Sequence, residues 1–161
     1  MSIKVVDSFF KNNENEKIIK EITKLKFKKT KAERKNTDPV GKNCQIKKTS
    51  FIYKAFTKEL KKQNLIPQGN KLHQAYVDLL SPNENPYYNS NNEKITVFLY
   101  YVVGFDDPNL DLGGETLFVN DPLIQGIVPK KHRLIVFSNG VWYKSNPFRD
   151  FDKYVVVFKY K

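Results

Sequence analysis

The stretch IVPKKHRLIVFSNGVWYKSNPF, residues 127–148, contains two short apolar runs separated by turn-forming residues. The runs HRLIVF and GVWYKS are rich in β-branched and aromatic side chains, which favour strands. Only Ser138–Gly140 connect them, so we expect the two strands to pair with each other. Further runs of this kind follow residue 70: NKLHQAYVDLL, ITVFLYYVV, ETLFV, LIQGIV and KYVVVFKY. Seven or eight short strands separated by turns predict a β-sandwich or barrel.

The first 66 residues have a different pattern. IKVVDSFF predicts a first strand, and ENEKIIKEITKLKFKK places isoleucines at helical spacing with lysines on the opposite face. FIYKAFTKELKKQ predicts a second helix, capped by Thr49 or Ser50. Residues 28–43 have no apolar period and contain Pro39 and Gly41, which predicts a loop. We therefore expect one domain over residues 1–161, with a helical, basic support in 1–66 and a barrel core in 67–161.

The positive charge is concentrated near the N-terminus. Residues 1–62 carry 18 Lys and Arg against 7 Asp and Glu, whereas the rest of the chain is balanced. A candidate surface for an acidic or peptide partner is formed by Lys28, Lys29, Lys31, Arg34 and Lys35. The partner itself is not identified by the sequence. Arginine, which binds phosphates and bases with a fixed fork, occurs only three times, so nucleic acid is the less favoured partner.

The cysteine count and the apolar runs indicate the compartment. Cys44 is the single cysteine, so it has no internal disulfide partner, which suits a reducing environment. The opening MSIKVVDSFF lacks the features of a signal peptide, and no apolar run reaches the roughly 20 residues that a membrane helix needs. We expect a soluble, cytoplasmic protein that does not enter membranes.

Three segments together resemble a known family. GGET at residues 113–116, IVPKKHRLIVF and NPFRDFDKYVVVFKY are similar to the C-terminal half of 2-oxoglutarate- and Fe(II)-dependent dioxygenases, with the prolyl 4-hydroxylases as the most similar branch. KITVFLYYV before GGET and the N-terminal VVDSFF fit the same pattern. The resemblance implies a mainly β fold with flanking α-helices, the double-stranded β-helix, which is a jelly-roll or cupin-like barrel.

The resemblance also implies a set of site residues. In that family iron is held by a His-x-Asp pair on one strand and a distal histidine on a later strand. Tyr76 stands at the first histidine position, Asp78 at the carboxylate and Tyr143 at the distal histidine. Lys153 matches the basic residue that binds 2-oxoglutarate, and Tyr100 matches a strand position from which a phenol assists. Both imidazoles are thus replaced, while the carboxylate and the lysine remain.

Neither histidine of the chain restores the usual ligand set. Strand alternation places His73 on the face opposite Tyr76 and Asp78. His132 precedes its strand, where the resemblance implies a turn, and is expected at the surface. Trp142, the only tryptophan, is expected on the face opposite Tyr143, as a core or rim aromatic or as a stacking surface.

Three interpretations stay open, and they differ in whether the protein is an enzyme. The first is a divergent oxygenase relative without the ordinary Fe(II) triad that acts as a binding or scaffold protein. The second is a metal protein in which Tyr76, Asp78 and Tyr143 hold iron, with Fe(III) suiting phenolate oxygens. The third is an active 2-oxoglutarate-dependent hydroxylase of a peptide or other substrate, with different ligands. The cofactors are accordingly iron, as Fe(III) or Fe(II), with 2-oxoglutarate, or none.

Overall fold

The computed structural model describes residues 3–30, 40–89, 94–107, 110–120, 122–138 and 140–161. These residues form ten β-strands and two α-helices. In chain order the elements are β1 (Ile3–Val6), α1 (Asn12–Ile22), β2 (Lys28–Lys29), β3 (Lys42–Gln45), α2 (Phe51–Lys62), β4 (Leu72–Leu80), β5 (Thr96–Tyr101), β6 (Thr116–Asn120), β7 (Leu123–Ile127), β8 (Leu134–Ser138), β9 (Trp142–Ser145) and β10 (Lys153–Tyr160).

The strands form two antiparallel sheets that pack face to face. The main sheet has the order β1-β8-β5-β10-β4-β3-β2, and the minor sheet has the order β7-β6-β9. Their inner faces meet in an apolar layer, where the ring of Phe137 on β8 lies 4.8 Å from that of Tyr143 on β9 and 5.0 Å from that of Phe118 on β6. This arrangement agrees with the barrel expected from the sequence.

The expected pairing of β8 with β9 is wrong. β8 pairs with β1 and β5 in the main sheet, whereas β9 pairs with β6 in the minor sheet. The short connection through Gly140, which adopts a φ of +70°, therefore carries the chain from one sheet to the other instead of closing a hairpin. A short loop between two apolar runs is compatible with a hairpin and also with a crossing between two sheets, because in either case both strands bury one face in the same core.

The two helices cover the outer face of the main sheet. Alternation along β5 sends Phe98 and Tyr100 toward the helices, and Val97, Leu99 and Tyr101 toward the minor sheet. Aromatic side chains pack between the helices and the main sheet. Phe56 on α2 stacks on Phe158 of β10, with ring centroids 5.0 Å apart.

The helix boundaries follow local chemistry. Ser50 caps α2, since its hydroxyl accepts a hydrogen bond from the backbone N–H of Tyr53 at 3.2 Å. α1 begins at Asn12 and ends at Ile22, so the lysine-rich sequence after it does not continue the helix. Neither helix within the described ranges is long and apolar enough to cross a membrane.

The segment 28–43, expected to be a loop, contains strand structure at both ends. Lys28 and Lys29 form β2, and β3 begins at Lys42 and pairs with β4. The sequence Lys-Asn-Cys-Gln of β3 has no apolar alternation, because the strand lies near the sheet edge with polar side chains on its inner face. Residues 31–39 lie outside the described part of the chain.

Candidate functional site

A cavity of about 430 Å³ opens between the two sheets. Its walls come from β3, β4 and β10 of the main sheet and from β9 of the minor sheet, and residues 86–89 cover one side. Such a volume falls within the usual range for small-molecule sites. The cavity therefore has the size and the location of a ligand site inside a barrel.

Tyr76 and Asp78 reach the cavity from β4. They share the inner face with Gln74, and all three line the cavity. In the register of the sheet, Tyr76 lies opposite Gln45 on β3 and Val157 on β10. Because side chains alternate along a strand, Tyr76 and Asp78 face the cavity and Val77 faces the other side of the sheet.

Tyr143 reaches the same cavity from the opposite sheet. Its side chain is 9% exposed, and its backbone exchanges two hydrogen bonds of 2.8 Å with Asn89. That bridge holds the loop after β4 against β9. The loop is anchored at its other end by Glu84, whose carboxylate accepts from the backbone N–H of Ser81 at 2.7 Å and of Gly41 at 2.9 Å. The two sheets and this loop bring Tyr76, Asp78 and Tyr143 to one cavity.

These three side chains do not fit an ordinary Fe(II) site. The usual set has two imidazoles and one carboxylate, whereas Tyr76, Asp78 and Tyr143 offer one carboxylate and two phenols. A phenol ordinarily loses its proton only near pH ~10, so it is a poor ligand for Fe(II) at neutral pH. Among the described residues, no group of three or more His, Cys, Asp or Glu is placed to hold a metal ion.

The two histidines lie away from the cavity lining. His73 is exposed at the start of β4, where the register between β4 and β10 shifts. His132 is 9% exposed rather than at the surface as expected, in a left-handed turn with φ of +63°. Its Nε2 lies 2.8 Å from Oδ1 of Asn12, and its Nδ1 lies 3.4 Å from the hydroxyl of Tyr100. His132 therefore joins α1 to the main sheet.

Lys153 is fully buried, and its ammonium group contacts three protein acceptors. Its Nζ donates to the carbonyl oxygens of Gly114 at 2.5 Å and Asn146 at 2.8 Å, and to the hydroxyl of Ser145 at 2.9 Å. An ammonium group has three donors, so these contacts use all of them. Lys153 is not among the residues that line the cavity. The binding of 2-oxoglutarate by Lys153 stays a prediction.

Burial also changes the ionisation of Lys153. Removal from water lowers the pKa of Lys153 from 10.5 to about 7, while the nearby carboxylates of Glu115 and Asp78 oppose that shift. The rings of Tyr101 and Phe148 lie 5.2 Å and 5.9 Å from Nζ. Near neutral pH the group is therefore close to the point at which it loses its charge.

Tyr100 does not lie near Lys153. Its side chain points to the helical layer, where its hydroxyl donates to Oδ1 of Asn15 at 2.6 Å. The next residue, Tyr101, faces Lys153 and donates to the hydroxyl of Thr116 at 2.7 Å. Burial raises the pKa of Tyr101, so this phenol stays neutral. Tyr100 and Tyr101 thus lie on opposite faces of β5, because neighbouring residues of a strand alternate.

The remaining candidates lie outside the cavity. Lys28 and Lys29 are exposed on β2, whereas Lys31, Arg34 and Lys35 lie outside the described residues. Trp142 is 45% exposed on β9, which makes it a surface aromatic and not a core one.

Several lining residues were missed by sequence reasoning: Asn43, Gln45, Asn89, Ser145 and Lys159. Lys159 could have been found, since it shares the inner face of β10 with Val155 and Val157. Asn43 and Gln45 could not, because nothing in their sequence identifies β3 as a strand.

The fold is similar to that of solved oxygenases. A prolyl hydroxylase from Trichoplax adhaerens, solved with a hypoxia inducible factor peptide fragment, has a TM-score of 0.73 at 13% identity, over 98% of this chain and 82% of that one. HygX from Streptomyces hygroscopicus, with nickel and 2-oxoglutarate bound, has a TM-score of 0.73 at 11% identity, over 98% and 82%. The viral collagen prolyl hydroxylase of Paramecium Bursaria Chlorella virus-1, in a 2-oxoglutarate complex, has a TM-score of 0.69 at 15% identity, over 99% and 95%.

These similarities establish the class of fold. The chain has the double-stranded β-helix of the prolyl hydroxylase-like 2-oxoglutarate oxygenases, which confirms the fold expected from the sequence. No protein-family model matches the sequence, and no curated protein matches it either. At identities of 11–15%, the similarity defines the fold alone, and any function has to be argued from the residues of the site.

Proposed function

We propose that this protein is a divergent relative of the 2-oxoglutarate- and Fe(II)-dependent oxygenases that lacks the ordinary Fe(II) centre and acts as a binding protein. One observation carries the proposal. The cavity is lined by Tyr76, Asp78 and Tyr143, a set with a carboxylate and no imidazole, and the resemblance assigns these residues to the oxygenase ligand positions.

The surroundings of Lys153 support the same conclusion. A lysine that binds a dicarboxylate needs donors directed at the ligand space. Here the three donors of Lys153 contact Gly114, Ser145 and Asn146. Binding of 2-oxoglutarate at this lysine would require those contacts to break, and each is a hydrogen bond from a buried group that is costly to leave without a partner.

The test is an anaerobic titration with Fe(II), followed by calorimetry, on the wild-type protein and on the double variant Tyr76→His/Tyr143→His. We expect no stoichiometric binding by the wild type and a gain of binding in the double variant, because the variant supplies two imidazoles beside Asp78. The matched control is Tyr87→His, which adds an imidazole to the same cavity at a position without a ligand role.

Stoichiometric Fe(II) binding by the wild type, together with succinate formation from 2-oxoglutarate, would contradict the proposal and favour an active hydroxylase. A double variant that folds but gains no affinity for Fe(II) would show that Tyr76 and Tyr143 are not at the ligand positions. Adding Asp78→Asn to the double variant should abolish the gained binding, since it removes the only carboxylate of the set.

The second candidate function is an Fe(III) site with tyrosinate ligands. It is favoured by the same convergence of two phenols and one carboxylate, which are hard oxygen donors suited to a trivalent ion. Fe(III) binding would produce a visible absorption band that is lost in Tyr143→Phe. A colourless protein after Fe(III) addition would exclude this candidate.

A further inference from the structure

The inner face of the main sheet is divided into an apolar half and a polar half. On β5 and β8 the inward side chains are apolar, as in Leu99 and Ile135. On β3, β4 and the end of β10 they are polar, and register places them side by side: Asn43 opposite Asp78, Gln45 opposite Tyr76, and Gln74 opposite Lys159. The cavity lies over the polar half.

Nine of the twenty residues that line the cavity are uncharged and both donate and accept hydrogen bonds, and eight others are apolar. Of the nine, four are carboxamides, three are phenols and two are aliphatic hydroxyls: Asn43, Gln45, Gln74, Asn89, Tyr76, Tyr87, Tyr143, Thr30 and Ser145. The two hydroxyls already contact the protein, since Thr30 donates to the carbonyl oxygen of Val40 and Ser145 accepts from Lys153. Carboxamides and hydroxyls each offer donors and acceptors together. A ligand that suits this lining also carries many groups that can both donate and accept hydrogen bonds.

The charged residues of the lining are few and do not favour an ionic ligand. Lys42 is exposed at the rim, where water and salt screen its charge. The ammonium group of Lys159 lies 5.6 Å from the centre of the Tyr76 ring. Asp78 supplies the single negative charge of the lining, so the cavity has no strong excess of either sign.

We infer that this cavity binds a neutral polyhydroxylated ligand, a carbohydrate of one or two sugar units. The inference rests on the proposed function as a binding protein and names its ligand class. Each sugar hydroxyl both donates and accepts, which the amides and phenols match, and the aromatic rings can pack on the apolar face of a sugar ring. A volume of about 430 Å³ accommodates such a ligand.

The test is saturation-transfer NMR of the whole protein with glucose, galactose, mannose, N-acetylglucosamine, maltose and cellobiose. We expect transfer to the ring protons of at least one sugar. Gln45→Ala/Gln74→Ala should weaken that sugar's affinity about tenfold, because two neutral hydrogen bonds together contribute about this much. Both glutamines are exposed, so the variant should fold normally. Gln68→Ala, an exposed amide in the loop before β4, is the matched control and should bind like the wild type.

Two results would overturn the inference. One is the absence of transfer to every sugar in the panel, and the other is transfer that the double variant leaves unchanged. AMP and the peptide Pro-Pro-Gly are tested alongside, and transfer to either of them alone would replace the carbohydrate with another ligand class while keeping a binding function. Failure of the proposed function is a separate outcome, since it appears as Fe(II) binding and 2-oxoglutarate turnover.

Discussion

The space between the two sheets has a closed end around the buried Lys153 and an open end formed by the cavity. At the closed end, Lys153 has no exposed surface, and its donors contact Gly114, Ser145 and Asn146. At the open end, polar side chains such as Asp78 and Gln74 line a cavity. At the closed end the charged group contacts the protein itself, and at the open end hydrogen-bonding groups line a cavity.

The contacts of Lys153 give this residue a structural role. A buried ammonium group is costly unless hydrogen bonds and nearby opposite charges compensate. Once backbone carbonyls provide that compensation, the lysine connects the turn at Gly114 to the end of β9 at Ser145. We expect substitutions at the closed end to change stability strongly, and substitutions at the open end to change binding with little effect on stability.

The largest effect is expected for Gly114→Ala. A Cβ atom at Gly114 would collide with the ring of Phe148, and the residue has a φ of +86°. The collision and the strain together should lower the free energy of unfolding by about 3–5 kcal/mol. Urea denaturation followed by circular dichroism measures this change.

Gly69→Ala is the matched control for the backbone strain. Gly69 has nearly the same φ, +84°, but no atom lies within 4 Å of an added Cβ. Gly69→Ala should lower the free energy of unfolding only by the cost of a left-handed conformation, about 1–2 kcal/mol. Equal losses in the two variants would show that contact with Phe148 does not constrain the closed end.

The next effect is a pH dependence of stability that originates from Lys153. Its folded pKa of about 7 lies below its ordinary value of 10.5, so between these values the unfolded chain binds more protons than the folded one. The free energy of unfolding should therefore rise as pH increases through this window, by a few kcal/mol, and stay level below it. Neutral lysine keeps both carbonyl contacts as a donor and accepts from Ser145, so the contacts survive deprotonation.

Lys153→Met isolates this contribution, since relief of the overall positive charge also stabilises the wild type as pH rises. The difference in unfolding free energy between the wild type and the variant should increase with pH across the window. A constant difference would mean that Lys153 keeps an ordinary pKa in the folded protein.

The sequence predicted much of the fold because alternation and helical spacing are local signals. The strand β10 follows directly from KYVVVFKY, and the cap of α2 is Ser50, one of the two candidates in the sequence. The pairing of β8 was predicted wrongly, because partner choice depends on which sheet each strand joins. Local sequence contains no information about that choice when both strands bury one face in the same core.

The site was predicted less completely, because side-chain facing and backbone contacts depend on the folded structure. Tyr76, Asp78 and Tyr143 came from a resemblance, and the structure brings them to one cavity. Tyr100 was assigned by the same resemblance, and its hydroxyl contacts Asn15 in the helical layer, on the face of β5 opposite Tyr101. The contacts of Lys153 could not be predicted, since two of its acceptors are backbone carbonyls in turns and carry no side-chain signature.

A smaller effect is expected for Ser145→Ala, which removes one acceptor of Lys153. The loss of a hydrogen bond from a charged group should lower the unfolding free energy by about 1.5–3 kcal/mol at pH values below the pKa of Lys153. The effect should be smaller above it, where the amine is neutral. Ser138→Ala, at the exposed end of β8, is the control and should change stability little. An equal loss for both serines would contradict the role of Ser145 at the closed end.

The smallest change in stability is expected at the open end, for Gln45→Ala/Gln74→Ala. Both side chains are exposed on the inner face of the main sheet, so each substitution should alter the unfolding free energy by less than about 0.5 kcal/mol. The same double variant is expected to lose sugar affinity, which would separate binding from stability at this end. A large loss of stability would instead mean that these amides hold the sheet edge together, and the division between a structural end and a binding end would not stand.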